Sequence, residues 1–80
     1  MIKFHKQAEK FILSQSKASA LRLRAAIQQL PFGDTKRLQG YKNPPLYQLR
    51  VGSYRVIYSS EADAITILRI DVRGDVYKKV

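Results

Sequence analysis

The chain of 80 residues has no cysteine and only one histidine, His5. The first absence excludes a disulfide framework and any thiolate or cysteine-type zinc site, and makes an intracellular setting the economical expectation. The second excludes a ribonuclease built on paired histidines and a histidine-rich metal site, so His5 reads as a surface or edge-strand residue. No run of eighteen apolar residues exists to span a membrane, and the opening "MIKFHKQAEKF" places Lys3 and Lys6 where a secretory signal needs an apolar stretch. A soluble, cytoplasmic protein that engages no membrane is expected. P-loop and Rossmann glycine patterns are also missing, as are repeats, low-complexity segments and linkers. One domain over residues 1–80 follows, with no metal and no small-molecule cofactor called for.

Acids are scarce too: six Asp and Glu stand against fifteen Lys and Arg, a formal charge of +9. That balance points to a polyanionic partner, nucleic acid first and an acidic protein segment second, with a plain solvated basic surface as the alternative. Residues 1–40 hold eight of the bases and two of the acids, so the N-terminal half carries more of the charge. A core built from so short a chain buries a modest share of its surface, which implies marginal stability or a stabilising partner.

What is present sorts into short elements. In "MIKFH", Ile2 and Phe4 alternate with Lys3 and His5, a half-buried strand. Ala8, Phe11 and Ile12 fall on one face of a helix over 7–15. Ala20, Leu23, Ala26, Ile27 and Leu30 recur at helical spacing in a second, which Pro31 and Gly33 end. The segment "PFGDTKRLQGYKNPP" reads as a loop exposing Lys36, Arg37 and Lys42. "LYQLRVGSYRVIY" is a hairpin turning at Gly52–Ser53, a Gly-X pair suited to a type II′ turn. With those two residues as the turn, Val51 faces Tyr54, Arg50 faces Arg55, Leu49 faces Val56, Gln48 faces Ile57 and Tyr47 faces Tyr58. Tyr47, Leu49, Val51, Tyr54, Val56 and Tyr58 then form one apolar surface for the helices to cover, and Gln48, Arg50, Arg55 and Ile57 lie on the other. The last strand, from Ala64 to Val72, is apolar at both parities, as expected of a strand covered on both faces, so its phase stays open. The order is β-α-α-β-β-β, an α+β domain whose small, mainly antiparallel sheet carries two N-terminal helices on one face.

The facing pair Arg50 and Arg55 is the physical anomaly, since like charges directly opposite in a ladder are destabilising unless something negative lies between them. A bound anion answers it, because guanidinium forks match phosphate oxygens bidentately. The alternative is that both splay into solvent at a cost of tenths of a kcal/mol. Arg73, at the end of the last strand, brings a third arginine toward the same end if sequential strands pair. Gly74 permits a sharp turn there, and Tyr77 is placed to fold back across it. A ring for stacking a base beside cations for the phosphates is the equipment of single-stranded nucleic-acid binding. Lys78 and Lys79 read as a solvated, steering tail, and Asp71 and Asp75 as salt-bridge partners among the arginines. The "RGD" at 73–75 is a chance match to an adhesion tripeptide in a basic chain without cysteine or signal.

"KRLQG", "LRVGSYRVIY" and the terminal "RGDVYK", with the two helices before them, resemble the RelE branch of the RelE/ParE superfamily of toxin–antitoxin toxins across essentially the whole chain. The resemblance implies a ribonuclease that enters the ribosomal A site and cleaves mRNA there without metal. In that chemistry the ribose 2′-hydroxyl attacks the adjacent phosphate, leaving a 2′,3′-cyclic phosphate and a free 5′-hydroxyl. By matched position, Arg55 would hold the scissile phosphate. Arg73 would stabilise the transition state or protonate the leaving oxygen, and Tyr77 would stack on the substrate nucleotide. Gln48 and Arg50 stand where the best-studied type of member has two lysines. An arginine with a pKa above about 12 stays charged, so Arg50 is cast as an electrostatic stabiliser. The base is then unassigned among Lys42, Tyr77 and a ribosomal group. Lys36, Arg37, Lys42, Gln48, Lys78 and Lys79 complete the expected RNA contacts. On the helices, Lys6, Lys10, Lys17, Arg22 and Arg24 would meet ribosomal RNA phosphates or an acidic antitoxin segment. The partners implied are a cognate antitoxin, the ribosome and mRNA. Two other activities suit the superfamily: a ParE-like inhibitor of DNA gyrase, and a catalytically inactive binding protein.

Overall fold

The computed structural model describes residues 2–42, 45–61 and 63–72. Seven elements follow in order: β1 (Ile2–Phe4), α1 (Lys6–Ser14), α2 (Lys17–Gln28), β2 (Thr35–Lys42), β3 (Pro45–Val51), β4 (Tyr54–Glu61) and β5 (Ala64–Val72). The strands form one sheet in the order β1-β5-β4-β3-β2. Only β1 runs parallel to its neighbour, β5; the other three pairings are antiparallel. No helix among the described residues is long and apolar enough to cross a membrane.

Both helices pack on one face of the sheet. Ala8 and Ile12 of α1 and Leu23 and Ile27 of α2 meet Leu49, Val51, Val56, Tyr58, Ile67 and Ile70 in a single core. Ser16 caps α2 by accepting a hydrogen bond from the Ser19 amide at 3.3 Å, satisfying one of the first-turn donors a helix leaves unpaired. Where β1 stops, α1 continues the job of covering β5. The Gln7 side-chain amide donates to the Ile70 carbonyl at 3.3 Å, and its oxygen accepts from the Ile70 amide at 3.2 Å. A side chain thus supplies both ladder bonds that a longer β1 would have made.

The hairpin register is the expected one at every pair from Tyr47–Tyr58 to Val51–Tyr54. Gly52 takes φ +58°, as the first position of a primed hairpin turn requires. The rings of Tyr47 and Tyr58 stack with centroids 5.3 Å apart on the helix side.

Two expectations are corrected. Residues 35–42 are not part of a loop: they form β2, the sheet edge, paired with β3. An edge strand is bonded on one side only and is protected by charge and irregularity, so "TKRLQGYK" shows no apolar alternation. Between Arg37–Tyr47 and Lys42–Pro45 it advances five residues while β3 advances two, and Gly40, at φ +87°, lies in this irregular stretch. The second correction concerns β5. Its two apolar parities reflect a change of phase within the strand. Ile57 pairs with Arg69 but Tyr58 with Ile67, so Leu68 is an extra residue, a β-bulge that reverses the alternation. Ile65 and Ile67 before it and Ile70 after it therefore all face the same helices.

Candidate nucleic-acid interface

The face turned away from the helices carries the polar side chains of the sheet, arranged in rows by the register. One row runs Arg50 on β3, Arg55 on β4 and Asp71 on β5. The next, two residues along, runs Lys36 on β2, Gln48, Ile57 and Arg69. Directly paired residues share a face, so Arg50 and Arg55 do stand side by side.

Their environments differ. The Arg50 side chain is 50% exposed, with its Nε 3.9 Å from Asp34 Oδ2, and its backbone amide bonds the Asp34 carbonyl at 2.9 Å. An ion pair so long and so wet contributes little, and an incoming anion would displace it at small cost. Arg55 is only 6% exposed, which rules out splaying into solvent for this half of the pair. Its cross-strand partner on the other side, Asp71, is 7% exposed and accepts a hydrogen bond from Arg69 Nε at 2.9 Å. The row therefore reads acid, base, base, acid from Asp34 to Asp71, and the chain itself supplies part of the negative charge that a bound anion was invoked to provide. What stays exposed is one guanidinium, Arg50, with exposed Lys36 and half-exposed Arg69 nearby in the adjacent row.

Other expected contacts fall elsewhere. Arg37 pairs with Tyr47 and so lies on the helix side, away from Arg50. The backbone of Lys42 ends β2, and its side chain lies outside the described residues. Arg73, Tyr77, Lys78 and Lys79, together with Gly74 and Asp75, also lie outside them. On the helices, Lys6, Lys10, Lys17, Arg22 and Arg24 are exposed. Arg22 lays its guanidinium over the hairpin turn, where a Cβ added at Gly52 would stand 3.0 Å from Nη2. Arg69 and Asp34 were not singled out from sequence: Arg69 reaches this face only because of the Leu68 bulge, and Asp34 adjoins a strand that reads as loop. Among the described residues no group of three or more His, Asp or Glu side chains is placed to hold a metal ion. The Tyr58 hydroxyl, on the helix side, has its pKa raised. Burial raises it, the Thr35 hydrogen bond opposes that, and Tyr47 adds to it.

The chain is thus a small basic α+β domain with two helices on one face of its sheet and an arginine pair on the other. The model of the ParE toxin of the type II toxin–antitoxin system parDE matches residues 2–77. Among solved structures, the chain is similar to one in the archaeal RelE–RelB complex from Pyrococcus horikoshii OT3. Identity there is 35%, covering 91% of this chain and 93% of that one, with a TM-score of 0.73. It is similar also to a chain of the RelB–RelE antitoxin–toxin complex from Methanococcus jannaschii, at 25% identity, 96% of each chain and a TM-score of 0.75. No curated protein matches it. The chain belongs to the RelE/ParE superfamily of toxins and is RelE-like in structure.

Proposed function

We propose that this toxin is a ribosome-dependent mRNA endoribonuclease, held inactive by a cognate antitoxin. The observation that carries the reading is the Arg50–Arg55 pair, set directly opposite each other on the face turned away from the helices. In this reading a phosphodiester enters beside exposed Arg50, displaces the weak Asp34 contact, and gains charge-assisted hydrogen bonds from both guanidiniums. As the 2′-hydroxyl attacks, the phosphorane gains charge, and cations fixed in advance stabilise it more than the ground state. Holding the nucleotide in line supplies a further part of the rate. Arg73 and Tyr77 complete the site by the family resemblance, as leaving-group or transition-state cation and as stacking ring. Exposed Lys36 flanks the clamp as an RNA contact, with Gln48 buried beside it; Arg37, Lys42, Lys78 and Lys79 serve as peripheral ones. The antitoxin follows from the RelE–RelB complexes to which the chain is similar. Cytoplasmic action on ribosomes is part of the same reading.

The family model that matches is that of ParE, which keeps gyrase inhibition as the second reading. One experiment separates them: purified protein is added to translating ribosomes with mapping of mRNA 5′ ends, and in parallel to a gyrase supercoiling reaction. Cleavage within A-site codons, lost in Arg50→Ala, Arg73→Ala and Tyr77→Phe, supports the ribonuclease. Inhibited supercoiling with intact mRNA overturns it in favour of the gyrase reading. No effect in either assay leaves a toxin-fold binding protein.

A further inference from the structure

Cleavage through the 2′-hydroxyl needs a group that takes the hydroxyl's proton, and the arginines cannot supply it. A guanidinium stays protonated, so Arg50, Arg55 and Arg69 are excluded as bases. Along the charged row, the described side chains that carry a carboxylate are Asp34 and Asp71. Asp71 is buried and already accepts the Arg69 Nε–H at 2.9 Å. Asp34 is the open one, its side chain 68% exposed beside Arg50. Its backbone is fixed there, because its carbonyl accepts the Arg50 amide at 2.9 Å and the next amide, Thr35, bonds the Gly33 carbonyl at 3.0 Å. Its side chain is held far less, by a 3.9 Å contact to Arg50 Nε.

We propose that Asp34 is the general base of the cleavage, an assignment that rests on the ribonuclease reading. When a phosphodiester takes the carboxylate's place on Arg50, Asp34 stands next to the bound nucleotide with its oxygens released. A carboxylate that gives up a cation and faces an anion binds a proton more readily. Oδ2 takes the proton of the 2′-hydroxyl as the bond from O2′ to phosphorus forms. The bond from phosphorus to O5′ breaks, and the departing O5′ takes a proton from water. Asp34 then returns its own proton to the solvent that its exposure admits.

The competing role is that of a simple counter-ion for Arg50, and the two roles predict opposite signs. A counter-ion competes with the phosphate, so Asp34→Asn would tighten RNA binding and raise the rate. A base is needed for turnover, so Asp34→Asn should lower kcat on ribosomes by about 10²–10⁴-fold. Binding of an uncleavable 2′-deoxy dinucleotide, followed by NMR titration, should hold or tighten in the same variant, which separates turnover from affinity. Asp34→Glu keeps the carboxylate and should restore part of the rate. Cleavage by Asp34→Asn at the wild-type rate or faster overturns the proposal and leaves the ribonuclease reading standing. A rate that falls only in proportion to dinucleotide binding does the same. Wild-type protein that leaves A-site mRNA intact removes the ribonuclease reading, and the base with it.

Discussion

Arg50→Ala and Arg55→Ala remove the same group from facing positions, yet their costs to stability should differ several-fold. Arg55 is 6% exposed and faces Asp71 at 7%. Truncating so buried a side chain leaves a cavity and strips its polar contacts, at about 2–5 kcal/mol. Arg50 loses only a 3.9 Å contact between side chains 50% and 68% exposed, worth about 0–1 kcal/mol after solvent screening. A domain of this length holds on the order of 4–12 kcal/mol in all, so Arg55→Ala should leave it close to its unfolding midpoint while Arg50→Ala stays folded. Urea denaturation followed by circular dichroism measures both. Arg55→Met, which keeps most of the side chain's volume, should recover much of the loss. If the two single variants unfold within about 0.5 kcal/mol of each other, the burial of Arg55 is not what sets the two arginines apart. The practical corollary is that Arg50→Ala tests chemistry cleanly, whereas inactivity of Arg55→Ala has to be read beside its melting curve.

Two further outcomes follow from the core. Deleting Leu68 removes the extra residue of the bulge and leaves a regular ladder, in which Arg69 still faces Ile57 and Ile70 still faces Val56 in the core. A loss below about 2 kcal/mol is expected by urea denaturation, and a loss of about 3 kcal/mol or more, the cost of turning Ile70 out of the core, would refute the bulge assignment. The raised Tyr58 pKa carries a sign: the folded state keeps the phenol proton at a pH where the unfolded chain has released it. Stability from this group is thus complete below about pH 10 and declines as pH rises above it. Tyr58→Phe should flatten the fall in Tm between about pH 9.5 and 11; an unchanged slope counts against the burial.

The parts of this fold legible in the sequence are those where local rules and burial agree. Gly52 and Ser53 set a turn, the alternation on either side set the faces, and the pairing from Tyr47–Tyr58 to Val51–Tyr54 followed without ambiguity. The helices were legible for the same reason, their apolar positions recurring with the period of the face that packs. β2 was hidden because its pairing is backbone only: Lys36, Arg37 and Gly40 are what an edge tolerates, and they look like a loop. β5 was half legible, since its apolar residues were evident but a one-residue bulge has no composition of its own. The candidate site shows the same division. Arg50 and Arg55 could be placed as neighbours and Asp71 as a salt-bridge partner among the arginines, but not the Arg69 that holds it, nor Asp34 beside Arg50. Asp34 adjoins the unread strand, and Arg69 lies beyond the unread bulge.

β1 lies beside β5, and Gln7 reaches a residue 63 positions further along the chain to close the same edge. The earliest strand is therefore completed by the latest one. A growing chain that has not yet reached Ala64 has no partner for Ile2–Phe4, no anchor for Gln7 and no Asp71 opposite Arg55. Its contacts span nearly the full sequence, the kind that form slowly because the intervening chain must be closed first. For a toxin this amounts to a built-in delay: the charged row on its far face is assembled only after the ribosome has delivered the end of the sheet.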